Sequence, residues 1–146
     1  MNQPLPRVFG LLLVVLSLQL VGCGGGNLAK VTGNVTANGQ PVTEGTLLFS
    51  PVAGSAGSEG ALPATAEIQS DGTFTVGTEN PGDGAAVGKH RVSYTPPALV
   101  LPEWDGYGKK PEVPKSPFDG FTPTTAEVEI KSGANELTIE LAPPRR

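Results

Sequence analysis

Residues 124–142, TTAEVEIKSGANELTIELA, decide the fold class, because polar and apolar side chains alternate along them with a period of two. This period is typical of a β-strand with one buried face. The turn-forming residues 132–135 divide the stretch into two predicted strands, 124–131 and 136–142. The side chains expected to face the interior are Ala126, Val128, Ile130, Leu137, Ile139 and Leu141.

Five segments upstream show the same alternation and are also predicted to be strands: 30–37, 45–52, 64–69, 73–77 and 88–95. Asn38 and Gly39 supply the positive φ angles that a tight hairpin turn needs. The turn at 70–72 is expected to join the third and fourth of these strands into a hairpin. No window beyond the N-terminal region repeats its apolar residues at helical spacing. The chain from 30 to 142 is therefore predicted to be all-β, as a seven-stranded antiparallel β-sandwich.

The composition fits one small domain rather than a multidomain enzyme, with 146 residues, 20 Gly, 15 Pro and a formal net charge of -4. An acidic chain without clustered Lys and Arg is a poor ligand for a phosphate backbone, so nucleic acid is not an expected partner. The single Cys and the single His are Cys23 and His90. One cysteine cannot form an internal disulfide, and one Cys with one His cannot form a zinc site. Neither a metal nor a cofactor is predicted.

The N-terminus carries the pattern of an export signal. Arg7 precedes an apolar run at residues 8–18, which is shorter than the roughly 20 residues of a membrane-spanning helix and is typical of a helical signal peptide. Residues 20–23, Leu-Val-Gly-Cys, resemble the bacterial lipobox, in which cleavage between a small residue and a cysteine leaves that cysteine as the lipidated first residue. Gly22 and Cys23 would form the cleavage site here. An ordinary signal peptide followed by a free thiol is the alternative.

This interpretation divides the chain into four parts. Residues 1–22 are the lipoprotein signal peptide, 23–29 a lipidated flexible tether, 30–142 the β-sandwich domain and 143–146 a tail. Two or three acyl chains such as palmitate on Cys23 would anchor the protein stably, since one chain alone binds a membrane only marginally. The expected location is extracytoplasmic, on the outer membrane or elsewhere in the cell envelope, on its periplasmic or surface side.

Five segments resemble the motifs of carboxypeptidase-regulatory-like and transthyretin-like (prealbumin-like) domains: VTGNVT (31–36), NGQPV (38–42), GTLLF (45–49), SDGTFTV (70–76) and VGKHRV (87–92). His90 departs from the pattern, because these domains usually have Tyr there. With its lipobox, the chain resembles the small lipoproteins of this type in planctomycete bacteria. The resemblance implies an immunoglobulin-like or prealbumin-like β-sandwich that serves as an accessory or interaction module, usually without known activity.

No catalytic residue is predicted. His90 is the only side chain whose ordinary pKa lies near neutrality, but its strand position, in line with Val92 and Tyr94, favours a packed structural role. No nucleophile-elbow signature accompanies it. The transthyretin fold also hosts hydroxyisourate hydrolase, which needs several histidines and a C-terminal Tyr-Arg-Gly-Ser. This chain has one histidine and ends Ala-Pro-Pro-Arg-Arg at 142–146, so we do not expect that hydrolase. With no other catalytic signature, the chain is not expected to be an enzyme.

The proline-rich segment 96–123 contains the only Trp of the chain and is longer than most loops of a compact domain. Trp104, Asp105 and Tyr107 could bind a ligand, since two aromatic faces next to a carboxylate suit a sugar or an anchor for a protein partner. The alternative is that the aromatic residues of the segment fold back and cap an open end of the sandwich.

Two further patterns have weaker spacing. Four aspartates precede a glycine, as calcium ligands sometimes do, but without EF-hand spacing they first indicate turns: Asp71, Asp83, Asp105 and Asp119. Lys30, Glu67 and Asn135 have the residue types of the isopeptide crosslink of similar adhesin domains.

Taken together, these patterns predict a lipid-anchored extracytoplasmic β-sandwich with a structural or protein-interaction role and no catalytic activity. Its expected contacts are the membrane, through Cys23, and an envelope protein or polysaccharide. A carbohydrate-binding module that uses Trp104 and Tyr107 is the alternative function.

Overall fold

The computed structural model describes residues 27–98, 100, 103–104, 106–109, 112 and 115–145. Ten strands and no helix occur in these residues, so the all-β prediction is confirmed. The predicted signal peptide, its cleavage site at Gly22 and Cys23, and Asp105 lie outside the described residues. The strands are β1 (Leu28–Ala37), β2 (Gln40–Pro41), β3 (Thr46–Pro51), β4 (Ala64–Glu67), β5 (Thr73–Thr75), β6 (Ala85–Ala86), β7 (Gly88–Thr95), β8 (Thr122–Pro123), β9 (Glu127–Ile130) and β10 (Ala134–Ala142).

All seven predicted strands occur, as β1, β3, β4, β5, β7, β9 and β10. The predicted number is nevertheless wrong, because β2, β6 and β8 add three strands of two residues each. A two-residue strand is too short to show an alternating pattern, so it is recognisable only from its pairing. The tight turn is confirmed at Asn38 and Gly39, whose φ angles are 52° and 77° and which join β1 to β2.

The strands form two sheets. The six-stranded sheet has the order β2-β1-β10-β8, with β5 and β6 also paired to β1, and the four-stranded sheet has the order β4-β3-β7-β9. Strands β1 and β10 run parallel, whereas every other pair is antiparallel. The prediction of a wholly antiparallel fold is therefore wrong for this pair. Alternation along a strand reports which face is buried, and it carries no information on the direction of the neighbouring strand.

One core lies between the two sheets. Phe49 on β3 and Phe74 on β5 belong to different sheets, and their ring centroids are 6.1 Å apart. The predicted inward residues Leu47, Ile130, Ile139 and Leu141 are all buried, which is the arrangement expected of a sandwich. The prediction that Ala126 faces inward is wrong: it is exposed, because β9 begins only at Glu127.

The predicted hairpin at 64–77 lies at a corner between the sheets. Strand β4 pairs with β3, whereas β5 pairs with β1 in the other sheet. The turn between them is retained, since the Gly72 amide donates to the Gln69 carbonyl at 2.9 Å. Bridges between Thr65 and Gly77 and between Ile68 and Phe74 continue the hairpin. This flank of the body is therefore closed by the chain itself.

The strand directions define two ends. The proximal end contains Asn27, Gly88 and the turn 131–133, because Val87 donates its amide to the Asn27 carbonyl and Gly88 is opposite Ile130. Strand β7 runs from there to Thr95. The distal end contains the turns 38–39 and 70–72 and the chain that follows β7. We refer to residues 96–121, which connect β7 to β8, as the distal segment.

Candidate functional site

The distal segment is fixed to the body by two aromatic side chains. Phe118 and Phe121 meet edge to face, with ring centroids 5.8 Å apart and an interplanar angle of 89°, a favourable geometry for aromatic pairs. Both are half-buried and pack against the core. These two residues therefore cap the distal end, as the capping interpretation of the sequence predicts.

A polar clamp holds the same part of the segment. The Ser116 hydroxyl donates to the Glu44 carboxylate at 2.7 Å and accepts the Phe118 amide at 3.2 Å. The Tyr94 hydroxyl donates to the Glu44 carbonyl at 3.2 Å. The pKa of Tyr94 is raised, mainly by burial and to a smaller extent by the charge of Glu44. A hydrogen bond with Ser116 partly offsets this increase. The clamp joins the segment to the chain between β2 and β3.

Trp104 and Tyr107 do not take part in the capping. They are 48% and 84% exposed, and the indole N–H of Trp104 donates to the Tyr107 carbonyl at 3.1 Å. This hydrogen bond brings two of the three predicted ligand-binding residues together, while Asp105 lies outside the described residues. A neighbouring ion pair between Lys109 and Glu112, at 3.2 Å, is exposed and contributes little to stability.

His90 is buried, with 1% of its surface exposed, on the inner face of β7. Its Nδ1 lies 3.2 Å from the Gly88 carbonyl oxygen, which suits a neutral ring protonated at Nδ1. The part of the chain that the structure describes offers no hydrogen-bond partner to Nε2. Burial lowers the pKa of His90, and the Gly88 carbonyl partly offsets this effect. The predicted packed position is confirmed.

Two of the four aspartates that precede a glycine stabilise turns by accepting hydrogen bonds. The Asp71 carboxylate accepts the Thr73 hydroxyl at 2.7 Å and the Thr73 amide at 2.9 Å, and these bonds lower the pKa of Asp71. The Asp83 carboxylate accepts three amides, from Thr78 at 2.6 Å, Asn80 at 2.9 Å and Glu79 at 3.1 Å. The Thr78 and Asn80 bonds are the main reasons why the pKa of Asp83 is lowered.

Neither a metal site nor an isopeptide crosslink is assembled in the described residues. Within the described ranges, no three His, Cys, Asp or Glu residues are grouped so that they could hold a metal ion. Asn135 lies beside Lys30 but uses its amide for the turn: Nδ2 donates to the Lys131 carbonyl at 2.7 Å, and Oδ1 accepts the Lys131 amide at 2.9 Å. Lys30 and Glu67 are both exposed and therefore lie on the outer faces of two different sheets, so the three crosslink candidates are not assembled.

The sequence interpretation missed the Glu44–Ser116 contact. The two residues are 72 positions apart, and neither belongs to a pattern that local periodicity can reveal. The only available signal was the density of Ser, Pro and Phe at 116–118, which marks a turn without indicating what it touches.

Among the residues that the structure covers, no helix is long and apolar enough to cross a membrane.

Comparisons with known proteins give limited information on this chain. No protein-family model matches the chain, and no curated protein is significantly similar to it. A solved structure of a DUF3823 family protein from Parabacteroides merdae is similar over 82% of this chain, with 19% sequence identity and a TM-score of 0.44. The chain spans about half the length of that protein, 48% of it.

Proposed function

We propose that the protein is a lipid-anchored module of a bacterial cell envelope, in which a prealbumin-like β-sandwich is attached through Cys23 and presents its distal end to a partner protein. The observation that carries the proposal is the position of the first strand. Strand β1 begins at Leu28, only a few residues after Cys23. The exposed aromatic residues belong to the segment at the other end of the body.

The geometry supports an upright arrangement. Four residues of flexible chain span about 10 Å, so an anchor at Cys23 would place the proximal end close to the lipid. Strand β1 has 10 residues, which at the usual rise correspond to about 33 Å. In this arrangement the length of β1 separates the distal segment from the membrane. The distal segment is then accessible to a second envelope component, whereas the proximal turns face the membrane.

The test of the anchor is the mass of the mature N-terminus together with fractionation of cells. In the wild type we expect cleavage before Cys23, diacylglycerol on its sulfur and recovery with membranes. Cys23→Ala should abolish lipidation and release any exported product from the membrane. Gly24→Ala is the matched control, because it keeps the thiol and should remain membrane-bound. An unmodified thiol on a wild-type protein that washes off membranes would contradict the proposal.

A polysaccharide is the second candidate partner, favoured by the exposure of Trp104 and Tyr107. The indole N–H is already bonded to the Tyr107 carbonyl, so the ring offers an apolar face of the kind that stacks on a sugar. Trp104 is the only Trp, so its fluorescence reports on this segment alone. Saturable quenching by an envelope polysaccharide, weakened by Tyr107→Ala but not by Leu62→Ala, would favour this candidate, and no response across a glycan panel would exclude it.

A further inference from the structure

In the part of the chain that the structure describes, no strand pairing closes the flank opposite the β4–β5 corner. It lies between β9, the last strand of the four-stranded sheet, and β10, whose outer edge bonds only to β8 and Thr124 among the described residues. Val128 on β9 and Leu137 on β10 are half-buried and pack against the core. The turn 131–133 bounds the flank at the proximal end, and β8 bounds it at the distal end. We call it the open flank.

Unpaired main-chain groups of β10 face the open flank. The Glu140 carbonyl accepts the Thr124 amide at 2.8 Å, so the main chain of Glu140 is directed away from β1. Because successive residues of a strand direct their N–H and C=O groups to opposite edges, Glu136 and Thr138 point the same way. Among the described residues, only Thr124 and β8 bond to this edge.

Strand β9 presents a second, shorter edge. The Val92 amide donates to the Ala126 carbonyl at 2.9 Å, which places Ala126 in the bonding register with β7. By the same alternation, the main-chain groups of Glu127 and Glu129 point outward. Glutamates thus occupy both outward positions of β9, and on β10 they lie on either side of Thr138.

The charge of the edges limits what can pair with them. Their exposed glutamates are Glu127, Glu129, Glu136 and Glu140. Only Glu127 has an ion-pair partner among the described residues, Arg91 at 3.3 Å, and both side chains of this pair are largely exposed. A second copy placed edge to edge would bring glutamates against glutamates, which is unfavourable for residues directly opposite each other.

We propose that the outer edge of β10 accepts an extended strand from a partner protein that carries Lys or Arg at alternate positions. Strand addition of this kind gains affinity from main-chain hydrogen bonds and specificity from alternate side chains. The residues with outward main-chain groups also direct their side chains to the outer face of the sheet. A basic residue opposite Glu136 would therefore form a cross-strand ion pair, and one opposite Thr138 would lie diagonal to Glu140, whose own outer position is already taken by Thr124. This inference goes beyond the proposed anchor and does not depend on lipidation.

The test uses the full chain in detergent micelles and a synthetic nine-residue strand with Lys at alternate positions and Val or Thr between them. We expect saturable binding and slower hydrogen exchange of the Glu136 and Thr138 amides. The same strand with Glu in place of Lys should not bind. Absence of binding by the Lys strand, or protection confined to other strands, would overturn the proposal.

Two variants separate charge from main-chain pairing. The double variant Glu136→Lys, Glu140→Lys should weaken binding of the Lys strand on the order of tenfold and allow the Glu strand to bind. Its control is Glu59→Lys, Glu79→Lys, which changes the net charge equally at exposed positions elsewhere and should have little effect. Thr138→Pro removes one outward N–H that the added strand would use, so it should abolish binding. The variant is expected to fold, because proline is tolerated at an edge whose N–H is not used in the sheet.

If the charge-reversal variant and its control lose the same amount of affinity for the Lys strand, the effect depends on net charge alone. That result would overturn the proposal. Sedimentation of the wild type alone provides a second check. A monomer is expected, whereas a dimer that Thr138→Pro dissociates would make a second copy the occupant and also overturn it.

Discussion

The strand body and the distal segment achieve order in different ways. In the body, alternate side chains of the longer strands enter a common core, so many small contacts hold these strands in place. The described part of the distal segment contacts the core through Phe118 and Phe121 and is tied by the Ser116–Glu44 clamp, while Trp104 and Tyr107 remain exposed. Stability and recognition are therefore expected to reside in separate residues, and substitutions should affect one without the other.

The largest effect on stability is expected from Phe49→Ala. Phe49 is fully buried and joins the two sheets through Phe74, so its truncation leaves a cavity and should lower the free energy of unfolding by about 3 to 5 kcal/mol. Urea denaturation followed by circular dichroism measures this. A loss as small as that of the exposed control Leu62→Ala would mean that the two sheets do not share a core.

A smaller loss is expected where β1 meets β10. A Cβ atom on Gly33 would collide with the main-chain carbonyl of Leu137, so Gly33→Ala forces the parallel pair β1–β10 apart. We expect a loss of about 1 to 3 kcal/mol in the free energy of unfolding, the usual range for overpacking. Thr32→Ala on the same strand is the control, because Thr32 is exposed. Equal stability of Gly33→Ala and wild type in urea would contradict the parallel register.

His90 should make the body sensitive to acid. Burial lowers its pKa in the folded state, so the unfolded chain binds a proton more readily than the folded one. Stability is then complete above the ordinary value of about 6.5 and falls as the pH decreases below it, by at most about 1.4 kcal/mol per pH unit for one proton. Thermal or urea unfolding at a series of pH values measures this slope.

His90→Phe is the test variant for this slope, since it removes both the titrating ring and its buried Nε2, which has no hydrogen-bond partner among the described residues. The decline just below pH 6.5 should disappear. The decline near pH 3.8 and below should remain, because Asp71 and Asp83, whose pKa values are lowered in the fold, lose their turn bonds there. An unchanged slope just below pH 6.5 would exclude His90 as its source.

The clamp gives a still smaller global effect. Ser116→Ala removes the donor to the Glu44 carboxylate and should cost about 1 kcal/mol or less, since the pair is only partly buried. Hydrogen exchange of the amides of residues 118–121 should nevertheless accelerate severalfold. Ser132→Ala, an exposed serine in the turn 131–133, should change neither quantity. Unaltered exchange in Ser116→Ala would show that the two phenylalanines alone hold the segment.

The sequence was informative where burial repeats locally. Alternation was enough to identify Leu47, Phe49 and Ile139 as core residues, because a period of two follows directly from strand geometry. It could not reveal that β4 and β5 lie in different sheets, or that β10 lies beside β1, since these depend on how strands meet in space. Nor could it reveal the clamp, because Ser116 and Glu44 are 72 positions apart in the sequence.

The exposed aromatic residues show the same limit. Trp104 and Tyr107 were identified by their residue types and by the length of the segment, which is a chemical argument and not a packing one. Phe118 and Phe121 have the same residue chemistry, yet they are half-buried caps. Residue type alone does not separate a cap from a binding surface, because the difference lies in contacts with the core.

The smallest effect on stability is expected from Trp104→Phe, within about 0.5 kcal/mol of wild type in urea denaturation, because the ring contributes little to the core. A larger loss would place Trp104 among the capping residues. The same variant provides the background for a measurement of orientation, since a new Trp can then be introduced at the proximal end.

The most direct test of the upright, lipid-anchored arrangement is the quenching of Trp fluorescence in the lipidated protein reconstituted into vesicles. Trp104 should be quenched by an aqueous quencher such as iodide and not by brominated lipids. A Trp introduced by Leu62→Trp into the Trp104→Phe background, next to the proximal start of β4, should respond more strongly to brominated lipids. Strong quenching of Trp104 by brominated lipids, with none at position 62, would contradict the arrangement.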